Sequence, residues 1–167
     1  MCRVYVGTYA KYSSGSIAGA WLDLTDYTDL EEFLVACAEL HSDESEPEFM
    51  FQDFEGFPRS FYSECSINPE IFEYAALDEF ERERVDAYAE YNGEHYGFRI
   101  DYAIDNVIKL ADFGESDYMV AYAWCEEMGV FEDMPEHLRG YLDVESYFRD
   151  CGPSIVRTSA GVFGILD

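Results

Sequence analysis

The sequence predicts an α+β fold made of three small subdomains in a row, and three observations carry that expectation. Runs rich in β-branched and aromatic residues stand near both ends of the 167-residue chain, a helical pattern with few β-branched residues fills the middle, and glycine or proline marks the joins. The expected subdomains are 1–63, α+β with an antiparallel sheet; 64–105, helical; and 106–167, α+β with a second antiparallel sheet.

The elements follow in order. Residues 3–10, Arg-Val-Tyr-Val-Gly-Thr-Tyr-Ala, read as a strand, and Ser13-Ser14-Gly15 as a turn into a second strand from Ile17 to Leu24. A hairpin is expected. Thr28-Asp29-Leu30-Glu31 reads as a capping box, and Leu30, Phe33, Leu34, Cys37 and Ala38 form the apolar stripe of the helix behind it. After the loop 42–48, the alternation over 49–54 predicts a third strand. From Pro69, a first-turn proline, to about Tyr91 the pattern predicts helix, broken by the two glycines within 92–97. Asn106–Ala111 is a strand candidate. Ser116 caps a helix that Gly129 stops, Pro135 and Asp143 open two shorter helices, and Ile155–Arg157 with Val162–Leu166 form a terminal hairpin.

Charge is the strongest signal. The chain carries 36 Asp and Glu against 10 Lys and Arg, a formal net charge of −26. Disorder is the usual meaning of such acidity, but 14 tyrosines, 13 phenylalanines and two tryptophans supply a core that disordered chains lack. The charge excludes DNA, RNA and anionic membranes as direct ligands, since each presents phosphates of the same sign. Nor is it an acidic tail: residues 1–63, 64–98 and 99–167 carry net −9, −8 and −9, and no Lys or Arg occurs from Tyr12 to Pro58.

Catalytic and metal motifs are missing. Cys2, Cys37, Cys65, Cys125 and Cys151 are odd in number and widely spaced, which predicts buried, reduced thiols in a cytoplasmic protein. Met1-Cys2-Arg3-Val4-Tyr5 shows no apolar h-region and is expected to enter a strand at once, and no run approaches the length of a membrane span. His41, His95 and His137 lack any H-E-x-x-H spacing and are expected at the surface. The loop acids Asp43, Glu44, Glu46 and Glu48 lack the alternating ligands and central glycine of a calcium loop, and Pro47 is foreign to one. No cofactor and no metal is expected, and the chain reads as a binding protein, not an enzyme.

Glu79, Glu83, Asp86, Glu90 and Glu94 are spaced 4, 3, 4 and 4 apart and share one helical face. Like charges at those spacings cost about 0.2–0.5 kcal/mol per pair, so the row works against the helix that bears it. Leu77, Phe80, Ala87, Tyr88 and Tyr91 are the residues expected to pack on the other side. At about 5–6 Å per step, the row is a ladder of anions spaced on the order of phosphates along a nucleic-acid strand. With Asp43, Glu44, Glu46 and Glu48 it composes an acidic surface suited to a groove built for DNA. Alternatives at this point are an acidic decoy of another basic DNA-binding protein and a carboxylate-dependent hydrolase.

The sequence also resembles the ArdA antirestriction family over nearly its whole length. Val4-Tyr5-Val6, Gly15, Gly19-Ala20-Trp21 and Asp23 are similar to that family's opening hairpin, and Asp53-Phe54-Glu55-Gly56-Phe57 to its D-x-E-G-like stretch. The most specific segment resembles the antirestriction motif: Glu126-Glu127-Met128-Gly129, then Pro135 through Leu138, Tyr141 and Asp143, then Tyr147-Phe148-Arg149-Asp150. Met128, Phe148 and Cys151 depart from the family pattern. The resemblance implies an elongated three-domain protein from a mobile genetic element, a curved homodimer with the motif near its contact, and a type I restriction-modification enzyme as partner. Tyr141, Tyr147 and Phe148 offer rigid apolar area for a core or for that dimer seam.

Overall fold

A computed structural model describes residues 1–93 and 99–166 of the chain. The fold is mixed α+β, with small antiparallel sheets following one another along the chain. Compactness groups it into two units: Met1–Arg82 with the described part of Glu94–Ile100, and Glu83–Gly93 with Asp101–Asp167. The segment 64–105 is therefore divided between them. Its first half packs with the N-terminal core, where Phe72 meets Phe33 at 6.1 Å, and its second half with the C-terminal sheet, where Ala87 joins Val107, Val156, Phe163 and Ile165.

In the first unit, β1 (Arg3–Thr8) runs into a short helix α1 (Tyr9–Ser13), followed by β2 (Ala20–Asp23), α2 (Leu30–Leu40) and β3 (Phe49–Glu55). The sheet order is β2-β1-β3, all antiparallel. The expected pairing of β1 with β2 is present, Tyr5 lying opposite Trp21, and the chain turns at Ser14-Gly15 as expected, but β1 ends at Thr8 and β2 begins only at Ala20: Thr8 Oγ1 accepts from Lys11 N at 3.2 Å and starts α1 before the turn. The cap of α2 lies one residue later than expected. Asp29 accepts from Glu32 N at 2.9 Å, while Glu32 reaches back to Thr28 N at 2.7 Å. Phe33, fully buried, is the hub of the core, its ring 5.5 Å from Tyr27 and 6.0 Å from Phe51. A two-stranded hairpin, β4 (Tyr62–Ser63) and β5 (Ser66–Ile67), and the helix α3 (Ile71–Ala76) complete the unit.

The continuous helix expected from Pro69 to Tyr91 is broken. Leu77 is extended, and Asp78 begins a new helix, α4 (Glu79–Tyr91), with a reciprocal cap: Glu81 N donates to Asp78 Oδ1 at 2.9 Å and Asp78 N to Glu81 Oε2 at 3.1 Å. The glycine break expected over 92–97 lies largely outside the described residues.

In the second unit α5 (Ile100–Asn106) leads into β6 (Val107–Ala111), α6 (Asp117–Glu127), α7 (Glu136–Arg139), α8 (Val144–Cys151), β7 (Ser154–Thr158) and β8 (Gly161–Ile165). The order β6-β8-β7 is antiparallel throughout. The caps are those expected: Ser116 on α6, Gly129 at φ +69° after it, Pro135 before α7 and Asp143 on α8. Trp124, Cys125, Phe131 and Val144 form the core between α6 and α8. No helix among the described residues is long and apolar enough to cross a membrane.

Candidate functional site

The ten cations decide what the 36 carboxylates can do, so their positions come first. Arg3 pairs with Glu55 at 2.7 Å and lies over the Trp21 ring, and Arg157 meets Asp117 at 2.5 Å. Arg82 donates to Ala75 O, Arg84 to Ile104 O at 3.2 Å and Arg139 to Phe131 O at 3.2 Å. Arg149 donates to Ser146 Oγ at 2.7 Å, within its own helix. These six bases, with Lys11 and Lys109, tie parts of the fold together, while Arg59 is exposed. Carboxylates outnumber Lys and Arg by 26, so most of the acidic surface has no cation to offset it.

On α4, Glu79, Asp86 and Glu90 are exposed, and Glu83 is half-buried. Glu83 accepts from Lys109 Nζ at 3.0 Å, and Lys109 also meets Asp112 at 3.3 Å; the bond to Glu83 holds the lysine above its ordinary pKa. One rung of the ladder is therefore already compensated. Glu94 lies outside the described residues. The packing side matches expectation only in part: Ala87 is buried as expected, joined by Val85 and Ala89, whereas Phe80 is 71% exposed and Tyr91 is exposed. Leu77 belongs to the break before α4, and Tyr88 packs against Tyr102 at 5.5 Å.

The loop acids separate in the same manner. Lys11 Nζ lies 2.8 Å from Asp43 Oδ1 and 3.6 Å from Glu44 Oε1, and Glu44 also accepts from Thr8 Oγ1 at 2.7 Å. Its hydrogen bond to Asp43 raises the Lys11 pKa and lowers that of Asp43. Glu46 and Glu48 are exposed. The surprise is His41, expected at the surface but 1% exposed. Its Nε2 is 3.2 Å from Val6 O and its Nδ1 is 2.9 Å from Lys11 Nζ. A carbonyl only accepts and an ammonium only donates, so the partners assign the proton to Nε2 and a neutral ring. His41, Asp43 and Glu44 converge within 4.8 Å, a grouping that could hold a metal ion, but the ammonium of Lys11 already sits among them. His137 is exposed, and His95 lies outside the described residues.

The motif-like segment spans α6 to α8. Glu126 and Glu127 close α6 at the surface, Gly129 turns the chain, and Asp143 caps α8 by accepting from Ser146 N at 3.0 Å. That bond lowers the Asp143 pKa. Phe148 packs edge-on against Trp124 at 5.5 Å and belongs to the core. Tyr141 does not: it is 86% exposed, with Leu138 and Tyr147 exposed nearby in sequence. Arg149 and Asp150 are exposed on α8. The thiols also divide. Cys2, Cys37 and Cys125 are buried, burial pushing Cys37 up to about 12, but Cys65 and Cys151 are exposed, contrary to expectation; none of the five is in a disulfide.

The family profile described as Antirestriction protein (ArdA) matches residues 4–163, so the chain belongs to that family. No curated protein matches it.

Proposed function

We propose that this antirestriction protein is a DNA mimic that occupies the DNA-binding cleft of type I restriction-modification enzymes and inhibits them by occlusion, without catalysis. One observation carries the proposal: most of the few cations are tied to internal carbonyls or to a handful of carboxylates, so most of the 36 carboxylates have no Lys or Arg to offset them. A cleft that binds duplex backbone meets the same sign of charge and sheds the same counterions. Glu79, Glu90, Glu46 and Glu48 are exposed contacts with no Lys or Arg partner among the described residues, Asp86 is exposed on the same row, and Glu83, Asp43 and Glu44 contribute less; Glu94 continues the row in sequence. Duplex DNA carries a charge per about 1.7 Å of axis, against one per about 5–6 Å along α4. Binding is therefore distributed, and no single carboxylate is essential.

The protein works in the cytoplasm as a homodimer. Exposed Leu138, Tyr141 and Tyr147 supply apolar area for a seam, with Glu126, Glu127, Gly129, Pro135, Asp143, Arg149 and Asp150 shaping the segment around it. Light scattering at micromolar concentration tests this, and a monomeric mass contradicts it. The mimic itself is tested by a salt titration of its affinity for the enzyme beside a DNA control. The expected result is a negative slope of log affinity on log salt, shallower than that of DNA. A flat response means that shape and apolar contacts dominate, and ends the mimic reading.

A further inference from the structure

In the first unit α2 carries two apolar rows, of which only one is used. Phe33 and Cys37 are fully buried in the core, but Leu30, Leu34 and Ala38 form a second row at i, i+4 and i+8, with Leu30 and Leu34 only half-buried and Val35 56% exposed. Leu30 and Leu34 also form one wall of a cleft of about 270 Å³, whose floor is Phe49 and Phe51 of β3 and whose far wall is β5 at Ile67. The open face of α2 and the cleft are continuous through these two leucines. Helix, floor and far wall all belong to one unit.

We propose that this groove is a docking site, independent of the acidic face of α4, for a cationic amphipathic helix of a protein partner. Charge selects the occupant. Glu31 lines the open face, Glu48 lines the cleft, and Glu64 sits at its edge, accepting from the Tyr9 hydroxyl at 2.9 Å. No Lys or Arg is among the described residues lining either part. Nucleic acid and anionic lipid are repelled from such a rim, and a second copy has 36 acids against 10 bases and so few Lys or Arg to offer these glutamates. Size argues the same way. The cleft itself takes one or two large side chains and opens onto the apolar face of α2, so the groove is elongated along the helix. The 11 residues of α2 are about 16 Å long, enough to align with about three turns of a second helix. Such a helix lays leucine-like anchors at i, i+3/i+4 and i+7 into the groove and its Lys or Arg against the glutamates.

The probe is an 18-residue helical peptide of leucine and lysine with leucines at those spacings, compared with a scrambled peptide of identical composition. Binding to the full chain is followed by fluorescence anisotropy at 150 mM salt. The amphipathic peptide is expected to bind at least ten-fold tighter than the scramble. Leu34→Asn should erase that preference, and Val35→Asn, at a position too exposed to endanger folding, should reduce it at least three-fold. A combined Glu79→Gln, Asp86→Asn and Glu90→Gln variant should leave the preference within two-fold while weakening inhibition of the restriction enzyme, so the two sites fail separately. Equal binding of peptide and scramble, or a preference untouched by Val35→Asn, overturns the proposal. So does self-association of the chain that Val35→Asn abolishes, since a second copy would then be the occupant.

Discussion

If carboxylates carry the binding, as proposed, removing a cation should strengthen it. Lys109 Nζ is 3.0 Å from Glu83 and 3.3 Å from Asp112, so Lys109→Met releases two carboxylates for a partner's Lys and Arg while keeping most of the aliphatic stem near the Phe163 ring. The side chains of Lys109 and Glu83 are 29% and 22% exposed, so the pair is solvent-screened and worth no more than about 1 kcal/mol. For a chain of this length that loss lowers Tm by up to about 4 °C. The gain is of similar size: one released carboxylate contributes about 0.5–1 kcal/mol at an exposed site, a two- to five-fold tighter Kd. The same logic ranks the glutamates of α4. Glu79→Gln and Glu90→Gln should each weaken binding about two- to five-fold, and Glu83→Gln by less than about two-fold, because Lys109 has already spent that charge. Inhibitor–enzyme affinity by titration at fixed low salt, with thermal melts of each variant, reads both quantities. Weaker inhibition by Lys109→Met, or a Glu83→Gln penalty equal to that of Glu90→Gln, refutes the reasoning.

Three further outcomes follow from the fold. Phe33→Ala, at a fully buried ring contacting Tyr27, Phe51 and Phe72, should destabilise the first unit by about 3–5 kcal/mol, read as a fall in the urea midpoint. Gly56 sits at φ +82° with the Met1 carbonyl where a Cβ would go, so Gly56→Ala should cost more than about 1 kcal/mol by the same measurement. Asp43 and Asp143 have lowered pKa values in the folded chain, through the Lys11 hydrogen bond and the Ser146 backbone bond respectively. Their stabilisation is complete above the unfolded value near about 4 and is lost as pH falls through the folded values. A melt series should therefore show Asp43→Asn and Asp143→Asn destabilised at pH 7 but converging on the parent chain below about pH 3; a constant difference across that range would contradict the linkage.

Local interactions were legible in the sequence, and long-range ones were not. Ser116, Gly129, Pro135 and Asp143 mark helix ends in the structure where they mark them in the sequence, because a cap bonds within three or four residues of itself. Two further local signals act in the fold. Asp78-x-x-Glu81 is a capping sequence that splits the expected long helix, and Thr8-x-x-Lys11 starts α1 where the first strand was expected to run on to residue 10. The apolar stripe of α2 was read correctly as residues but not as two faces, since periodicity does not say which row meets a core and which meets solvent.

What the sequence determined alone is the quantity and the evenness of the charge. With 36 acids and 10 bases no fold can compensate more than a minority of the carboxylates, and a net of −9, −8 and −9 along the chain leaves every part acidic. Family membership is equally a property of the sequence. Tertiary structure decided which carboxylates are spent. Glu83 meets Lys109 26 residues away, Thr8 binds Glu44 36 residues away, and Lys11 reaches His41 across 30 residues. Nothing at helical or strand spacing encodes such pairs; they form because burial of Phe33 in one unit and Phe163 in the other brings distant segments side by side. A buried histidine needs both its ring nitrogens satisfied, and only the folded chain supplies Val6 O and Lys11 Nζ on opposite sides of His41.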